Sequence, residues 1–579
     1  MSDMTLIHGG PTLVPPPNDL TVPQFFLDGS SAHVTQPERL ADTPCLIDDD
    51  SGQKVMLEEL RERTRCLANA LKFHWNIEEG TIATIISPNH IDYGPCVWAI
   101  HRLGGIVATL GPMLTSWELV HHFKIAMPSI IFVHSDCLSS VLQAAAVVGL
   151  QADRIVMVDG PGSSGPRGFR NLDDLVHEGS SLPQFSERVL TQGEAKSRIA
   201  FLAPSSGTTG TQKVVAISHY NVISIVIQSA TFNRINEPYA PAAERRFRPG
   251  DICCGFLPLY HIYGLVYNLH YMIYAGLTLV LTPKFNFENF LASIEKYRIT
   301  HLTLVPPQAV LLCKHPAVKR YDLSSVRYCI VAAAPLSATL TQELLEILPN
   351  VHLGQGYGLT ETCGTVGMFP LTQRIGTLGS GGQLLPGTFA KVVKPDGTLA
   401  KEPEVGELYV KGGQVALGYY DNEQATKETF IDGWLKTGDQ VYFQNGDIFV
   451  IERIKELIKV KGLQVAPAEL EGHLLTHPSI VDCAVIGVAD EYSGELPMAF
   501  IVLQPELATA ADTNIHLANE LRSGIFKHVT DVKSRHKWLA GGVRFTNAIP
   551  RNPSGKILRR LLRAQLNDSP SAGGVRARL

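Results

Sequence analysis

The sequence predicts an α/β protein in two parts. A large N-terminal domain of stacked α/β layers carries a β-rich subdomain, and a small, mobile C-terminal α+β domain follows. Three observations predict this. Apolar β-branched runs alternate with helical patterns from Leu57 to about Ala332. Near Gly387 the texture changes to short strands joined by turns. After Arg453 a charged hinge, Ile454-Lys-Glu456, opens a last segment with strands and helices of its own. The divisions expected are residues 1–453, residues 454–566 and a disordered Ser/Gly/Pro-rich tail, 567–579.

The lead-in up to about Leu27 is rich in Pro, Gly and Thr and predicts irregular chain. Leu57, Leu60, Leu67, Ala70 and Leu71 then recur at helical spacing. Thr81–Ser87 is a β-branched strand, and Ile130–Val133, a helix over Ser139–Val148 and a strand over Arg154–Val158 continue the alternation. Gly160–Arg167 predicts a surface loop, Arg327–Ala332 a buried strand and Ser337–Leu348 the helix after it. In the β-rich part, Thr388–Val393 and Gly406–Lys411 predict antiparallel strands, and Gln444-Asn-Gly-Asp447 a tight hairpin turn. The last segment predicts a helix over Pro467–Leu475, strands over Ala484–Val488 and Met498–Leu503, and a helix over His516–Val529.

A chain of 579 residues with 45% hydrophobic and 18% charged residues is an ordinary globular protein with ample core. A net charge of -5 argues against a nucleic-acid partner, whose ligands are usually basic. The ten cysteines include no C-x-x-C and no zinc spacing, so they read as reduced, mostly buried thiols of an intracellular protein. No secretory leader is expected, and the apolar stretch Val97–Leu114 is broken by His101, Arg102 and glycines, which fits a buried helix and strand rather than a membrane span.

The segment Leu202-Ala-Pro-Ser-Ser-Gly-Thr-Thr-Gly-Thr-Gln-Lys-Val-Val215 is the most informative. Ser205, Ser206, Thr208 and Thr209 offer hydroxyls, Gly207 and Gly210 let backbone N–H groups approach an anion, and Lys213 supplies a point charge. The Walker A spacing is absent. Alone, the segment is equally a solvated turn.

Further segments follow in order. Leu257-Pro-Leu-Tyr-His-Ile-Tyr-Gly264 puts Tyr260, His261 and Tyr263 at a strand-to-helix junction, where a histidine is more often a core residue than a catalyst. Gln355-Gly-Tyr-Gly-Leu-Thr-Glu361 is either a tight turn before a helix or a Thr for phosphate, a Tyr for a base and a carboxylate for Mg²⁺. Trp434-Leu-Lys-Thr-Gly-Asp439 reads as a polar turn ending in a carboxylate suited to a ribose diol. Pro550-Arg-Asn-Pro-Ser-Gly-Lys556 presents a lysine on a rigid loop.

Six such motifs in one order, counting Arg453-Ile-Lys-Glu-Leu-Ile-Lys-Val-Lys-Gly462, resemble the adenylate-forming superfamily. The resemblance spans roughly Leu40–Leu566 and is strongest to 4-coumarate–CoA ligase-like acyl-CoA synthetases, through Ala333-Ala-Pro-Leu336, Gly462–Leu470 and Gly494–Phe500. It implies an adenylate-forming N-terminal domain and a two-step reaction: a carboxylic acid attacks ATP at the α-phosphorus, and the acyl-adenylate then acylates coenzyme A. It implies that Ser205, Ser206, Gly207, Thr208, Thr209, Gly210 and Lys213 hold the β- and γ-phosphates. Thr360 touches phosphate and Glu361 helps hold Mg²⁺. Gln355, Gly356 and Tyr357 line the adenine pocket, with Ala333 beside the nucleotide. Asp439 and Arg453 bind ribose, and Lys556 bridges the reacting carboxylate and the α-phosphate.

For the acid, the resemblance points to Tyr260, Tyr263, Ala332, Ala334 and Gly358, with His261 at the mouth of the pocket. Lys455 matches the hinge about which the family's small domain turns, so that Lys556 leaves and the loop Lys459-Val-Lys461-Gly462 enters to build the coenzyme A site. Departures from the family pattern are Pro204, Val214, Ala332 and Glu452, and none removes a charge the chemistry needs. A carrier-protein thiol remains an alternative acceptor, and the acid itself is not readable beyond an apolar pocket for aryl or medium-chain acids. Ala577-Arg578-Leu579 has the small-basic-leucine form of a peroxisomal address and predicts an import receptor as partner.

Overall fold

A computed structural model describes residues 6–28, 33–159, 168–205, 213–461, 463–552 and 555–567. The surface loop expected over 160–167 and the tail beyond 567 lie outside the described residues.

The first sheet has eight strands, in the order Gly418–Tyr419, Val214–Ser218, Ile199–Pro204, Ile106–Leu110, Ile82–Ile86, Ile130–Val133, Ile155–Met157 and Arg170–Asn171. From Ile199–Pro204 onward every pairing is parallel. All five residues of Ile82–Ile86 are buried, as a parallel strand covered on both faces requires. Ile85 packs into the cluster holding Leu67, Leu71 and Val97, whereas Ile86 packs into the one holding Leu119, Phe123 and Val141. Helices Leu57–Trp75 and Tyr93–Arg102 thus cover one face, and Ser116–Ala126 and Leu138–Val148 the other.

The second sheet has fifteen strands and two textures. Leu46–Asp48, Thr278–Leu281, Ile252–Gly255, His301–Leu304, Tyr328–Val331 and the first half of His352–Leu359 are parallel. The second half of His352–Leu359 pairs antiparallel with Gly364–Met368, and the sheet continues antiparallel through Gln383–Leu384, Asp447–Arg453, Trp434–Gln444, Gly406–Lys411 and Phe389–Val393. One strand therefore joins the α/β layer to the β-rich part. The hairpin turn is as the sequence predicts: Gln444 faces Asp447, with Asn445 and Gly446 at φ 53° and 79°.

The third sheet orders Leu463–Val465, Ile458–Val460, Gly494–Leu503 and Ile480–Asp490, with Gly542–Phe545 beside Gly494–Leu503. Helices Pro467–Leu474 and Ile515–Thr530 pack onto it around Leu470, Val485, Ile501 and Ile525. No described helix is long and apolar enough to cross a membrane. All ten cysteines are free thiols, nine of them buried.

Three expectations are corrected. The lead-in is irregular over 9–21 but not throughout. Ile7–His8 pairs with Phe389–Ala390, and Val22–Leu27 is a helix with a Thr21–Gln24 capping box and Phe25 and Phe26 in the core. A six-residue helix is too short to show periodicity and exists because it is buried and capped. Trp434–Asp439 is not a turn but part of the eleven-residue strand Trp434–Gln444, where Gly438 at φ 74° absorbs a local irregularity. The strands expected over Ala484–Val488 and Met498–Leu503 are longer, Ile480–Asp490 and Gly494–Leu503, and pair as a hairpin whose polar outer end continues the ladder without an apolar signal.

Candidate active site

The carboxyl ends of the parallel strands, the joining strand and the last segment enclose a cavity of about 800 Å³. Open α/β sheets bind ligands at this end of their strands. Ser205, Lys213, His261, Tyr263, Ala332, Ala333, Ala334, Gln355, Gly356, Tyr357, Gly358, Thr360, Glu361, Asp439, Arg453, Lys455 and Lys556 all line it. Ser205 and Lys556, 351 positions apart in sequence, thus line the same cavity.

Strands Ile199–Pro204 and Val214–Ser218 form an antiparallel hairpin, closed where the Ser205 N–H donates to the Lys213 carbonyl at 2.8 Å. The loop it presents, with Ser206, Gly207, Thr208, Thr209 and Gly210, lies outside the described residues. At its base, the Lys213 Nζ stands 4.5 Å from the centroid of the Tyr419 ring. The Tyr419 hydroxyl donates to Glu361 Oε1 at 2.9 Å. Tyr419 reaches both because its two-residue strand pairs with Val215–Ala216. The sequence reading missed it, since a strand of two residues carries no periodic signal.

Among the described residues no cluster of three or more His, Cys, Asp or Glu could hold a metal by itself. Glu361 is a single carboxylate on the cavity wall. That fits Mg²⁺, which keeps several waters and takes further oxygens from substrate phosphates.

Asp439 faces Arg453 across neighbouring strands and is 2% exposed. Its Oδ1 accepts from Arg453 Nε at 2.9 Å and its Oδ2 from the Tyr357 hydroxyl at 2.6 Å. Burial, then the Asp439 charge, pushes the Tyr357 phenol far above its ordinary range, so it remains a donor. Gly358 sits where a Cβ would lie 1.9 Å from the Gly364 carbonyl oxygen, so no side chain fits between the paired strands. Gln355 turns its Oε1 onto the Leu336 N–H at 2.7 Å, tying the joining strand to the Ala332–Leu336 turn. In that turn Ala333 holds φ at 72°, a left-handed conformation that non-glycine residues take at some strain.

The inner end of the cavity is apolar. Ile225, Val226, Val266 and Ile330 line it together with Tyr263, Tyr267 and Tyr271. The three tyrosines come from one π-helix, Tyr263–Met272, whose wide turn puts every fourth residue on the same side. The repeat was visible in the sequence, but Tyr267 and Tyr271 were not singled out. The Tyr267 and Tyr328 hydroxyls lie 3.0 Å apart, and the Tyr271 oxygen accepts from Asn233 at 3.1 Å. Tyr260 is not part of this lining: its ring packs against Gly111 in the main core, and it neighbours the site only in sequence. His261 Nδ1 accepts from the Tyr263 N–H at 3.3 Å, and burial holds the imidazole down to about 4, so the ring is neutral at pH 7.

Lys556 enters from the last segment. Its loop is closed by Asn552, whose N–H donates to the Lys556 carbonyl at 2.9 Å and whose Oδ1 accepts from the Lys556 N–H at 2.8 Å. Gly555, at φ 82°, lies so close to Val305 that a Cβ would come within 2.9 Å of its Cγ2. The loop is thus seated on the large domain. The Lys556 Nζ is shielded from solvent and has no hydrogen-bond partner. Burial, then Arg453, pulls its pKa below the ordinary lysine value, while Glu456 and Asp439 pull it back. An ammonium without a partner in a polar cavity wall is a ready anion site. Lys459 and Lys461 are not brought to the cavity. Both are exposed, Lys461 over the Tyr492 ring at 4.2 Å, and Gly462 lies outside the described residues.

Comparison with known proteins is consistent across the chain. Residues 34–420 match the AMP-binding enzyme family and residues 469–556 the AMP-binding enzyme C-terminal domain. Acyl-CoA ligase easD of Emericella nidulans is 34% identical over 96% of this chain and 100% of its own. 4-Coumarate-CoA ligase 1 of Narcissus pseudonarcissus is 35% identical over 91% of this chain and 92% of its own. Peroxisomal OPC-8:0-CoA ligase 1 of Arabidopsis thaliana is 34% identical over 95% of this chain and 94% of its own. Among solved structures, ATP-bound MatB from Rhodopseudomonas palustris superposes with a TM-score of 0.78 at 25% identity, covering 95% of this chain and 99% of that one.

Proposed function

The chain belongs to the AMP-binding enzyme family, and on that premise we propose how its cavity carries out the reaction of an ATP-dependent acyl-CoA ligase. A carboxylate is a poor acylating agent because its leaving group would be oxide. The enzyme joins it to the α-phosphorus of ATP, releasing pyrophosphate, and the coenzyme A thiol then displaces AMP from the acyl-adenylate.

The observation that carries the residue assignment is the Lys556 Nζ, unpartnered in the same cavity wall as Lys213, Glu361, Asp439 and Arg453. Lys213 and the glycine-rich loop receive the β- and γ-phosphates, and Thr360 an oxygen beside them. Glu361 would hold Mg²⁺, which would neutralise polyphosphate charge. Gly356 and Tyr357 lie along the adenine, with Gln355 fixing the turn beneath it, and the Asp439–Arg453 pair takes the ribose hydroxyls. Lys556 neutralises the charge shared by the attacking carboxylate and the α-phosphoryl oxygens, which is where a lysine stabilises a phosphoryl-transfer transition state. Neutral His261 offers an Nε2–H at the junction of the acyl and nucleotide halves.

The second half-reaction uses another face of the small domain, residues 454–566. Rotation at Lys455 withdraws Lys556 and brings Lys459, Lys461 and Gly462 to the coenzyme A path. This reading is supported by the position of Lys556 inside the cavity while Lys459 and Lys461 stand outside it. An apolar inner end framed by three tyrosines favours an aryl or medium-chain acid.

The test separates the two steps. Lys556→Ala is expected to lower ATP–pyrophosphate exchange by roughly 10²–10³, the loss seen when one oxyanion donor is removed. Thioester formation from supplied acyl-adenylate and coenzyme A should stay near wild type. Equal loss in both steps would refute the division of labour.

Peroxisomal import through Ala577-Arg578-Leu579 is the localisation proposed. Its support is that tripeptide and the peroxisomal name of one relative.

A further inference from the structure

Glu452 departs from the aspartate that the family pattern places before Arg453, and its side chain crosses the hinge. It is the penultimate residue of the large domain's strand Asp447–Arg453. Its Oε1 accepts from the Arg453 N–H at 3.0 Å, and its Oε2 accepts from the Ala468 N–H at 3.1 Å. Ala468 is the second residue of helix Pro467–Leu474, whose Leu470 and Leu474 belong to the small domain's core. That helix has no cap of its own, because its N-cap residue is Ala466 and makes no side-chain hydrogen bond. A carboxyl oxygen from the other domain therefore does the capping.

We propose that Glu452 is a positioning residue. By capping helix Pro467–Leu474 across the hinge, it holds the small domain in the orientation that seats Lys556 in the cavity. Turning at residues 454–455 separates the carboxylate from Ala468, so the contact belongs to one orientation only. The longer glutamate arm supplies the reach. The inference rests on the two-orientation reading above.

The surroundings make the contact sensitive to pH. Glu452 is 8% exposed and is faced by Arg453 on its own strand, Glu456 in the hinge, Glu471 on the capped helix and Arg559. Arg559 is already engaged by Glu456 and by Glu471, the latter at 2.8 Å. Burial, opposed by Arg559 and reinforced by Glu471 and Glu456, pushes the Glu452 carboxyl up to about 7. Released into water it would return to about 4.3. The docked orientation therefore binds the proton more tightly, gains relative stability below pH 7 and loses it as pH rises through about 7.

The experiment uses the full chain with fluorescent donor and acceptor on Ser180 and Glu520, both exposed and on different domains. Energy transfer reports the docked fraction without any substrate. Both half-reactions are measured beside it. Glu452→Gln keeps an acceptor for Ala468 and loses the charge, whereas Glu452→Ala loses both. The expected result is a docked-to-undocked ratio and an adenylation rate about five-fold lower in Glu452→Ala than in Glu452→Gln, as for loss of one helix cap. Thioester formation from supplied acyl-adenylate should shift the opposite way. Wild type should show a fall in docked fraction centred near pH 7 that neither variant shows. Equal behaviour of the two variants, or a wild-type titration that survives in Glu452→Gln, would overturn the proposal. If no acid supports adenylation, energy transfer still decides the positioning role, and only the catalytic reading fails.

Discussion

The Tyr419 hydroxyl donates to Glu361 at 2.9 Å, and the same ring carries the Lys213 ammonium on its face. One residue on a two-residue strand thus positions both the cation and the carboxylate in the part of the cavity proposed for the polyphosphate. Tyr419→Phe keeps the ring and removes the donor. Its expected effect is a Mg²⁺ requirement raised several-fold, with a loss of about 1 kcal/mol typical of one hydrogen bond. Tyr419→Leu also removes the cation–π contact and should raise KM for ATP further. Pyrophosphate exchange across a Mg²⁺ series checks both; a Phe variant indistinguishable from wild type would remove Tyr419 from the site.

Asp439 is buried and has two part-buried partners, so removing it strands both. Asp439→Ala leaves the Tyr357 phenol without its acceptor and Arg453 without its carboxylate. A stability loss of about 1–3 kcal/mol follows from the unmet donors, together with a KM for ATP raised at least ten-fold. Denaturant unfolding and initial rates against ATP measure the two separately. A variant that loses stability but keeps the wild-type KM would show that the pair serves the strands and not the nucleotide.

Buried histidines, His219 and His270 among them, contribute to the acid limit of the fold. Burial holds His219 down to about 3 and His270 down to about 4. Both are built as neutral acceptors: His219 Nδ1 takes the Val22 N–H at 3.1 Å, and His270 Nε2 takes the Trp98 indole N–H at 3.2 Å. Their folded values lie below the unfolded one of about 6.5, so the unfolded chain binds more protons between those limits. Stability is therefore full above pH 6.5 and is lost as pH falls toward 4. At pH 5 the loss is about 2 kcal/mol for each histidine. Urea unfolding at pH 7.5 and pH 5 tests this, and a flat profile between them would contradict it.

The targeting proposal has its own readout. A fluorescent protein fused ahead of residue 1 should give punctate, peroxisomal fluorescence, and one fused after Leu579 should spread it. Identical patterns from the two fusions would reject the address.

How much of this was legible in the sequence differs residue by residue. Lys213, Glu361, Asp439, Arg453 and Lys556 could be named because six short motifs in one order resemble the adenylate-forming superfamily, although single motifs also fit ordinary turns. The hairpin at Asn445-Gly446 and the helix Leu57–Trp75 were equally readable, since turn chemistry and period are local properties. Tyr419, Tyr267 and Tyr271 were not, because nothing in their neighbours distinguishes a tyrosine beside a cavity from one in a core. Tyr260 was misplaced for the converse reason: adjacency to His261 in sequence does not carry a side chain to the same side.

The sequence by itself determined the alternation of strands and helices and the ordered motifs, because local geometry is written in short runs of residues, and the resemblance of those motifs to the adenylate-forming superfamily implied the reaction. Only the tertiary structure decided which side chains converge. It stacked Lys213 on Tyr419, paired Asp439 with Arg453 across a ladder, and delivered Lys556 to the cavity with Glu452 bridging the hinge behind it. Those contacts join residues from separate strands and domains, and burial, not sequence distance, sets their hydrogen bonds and their charges.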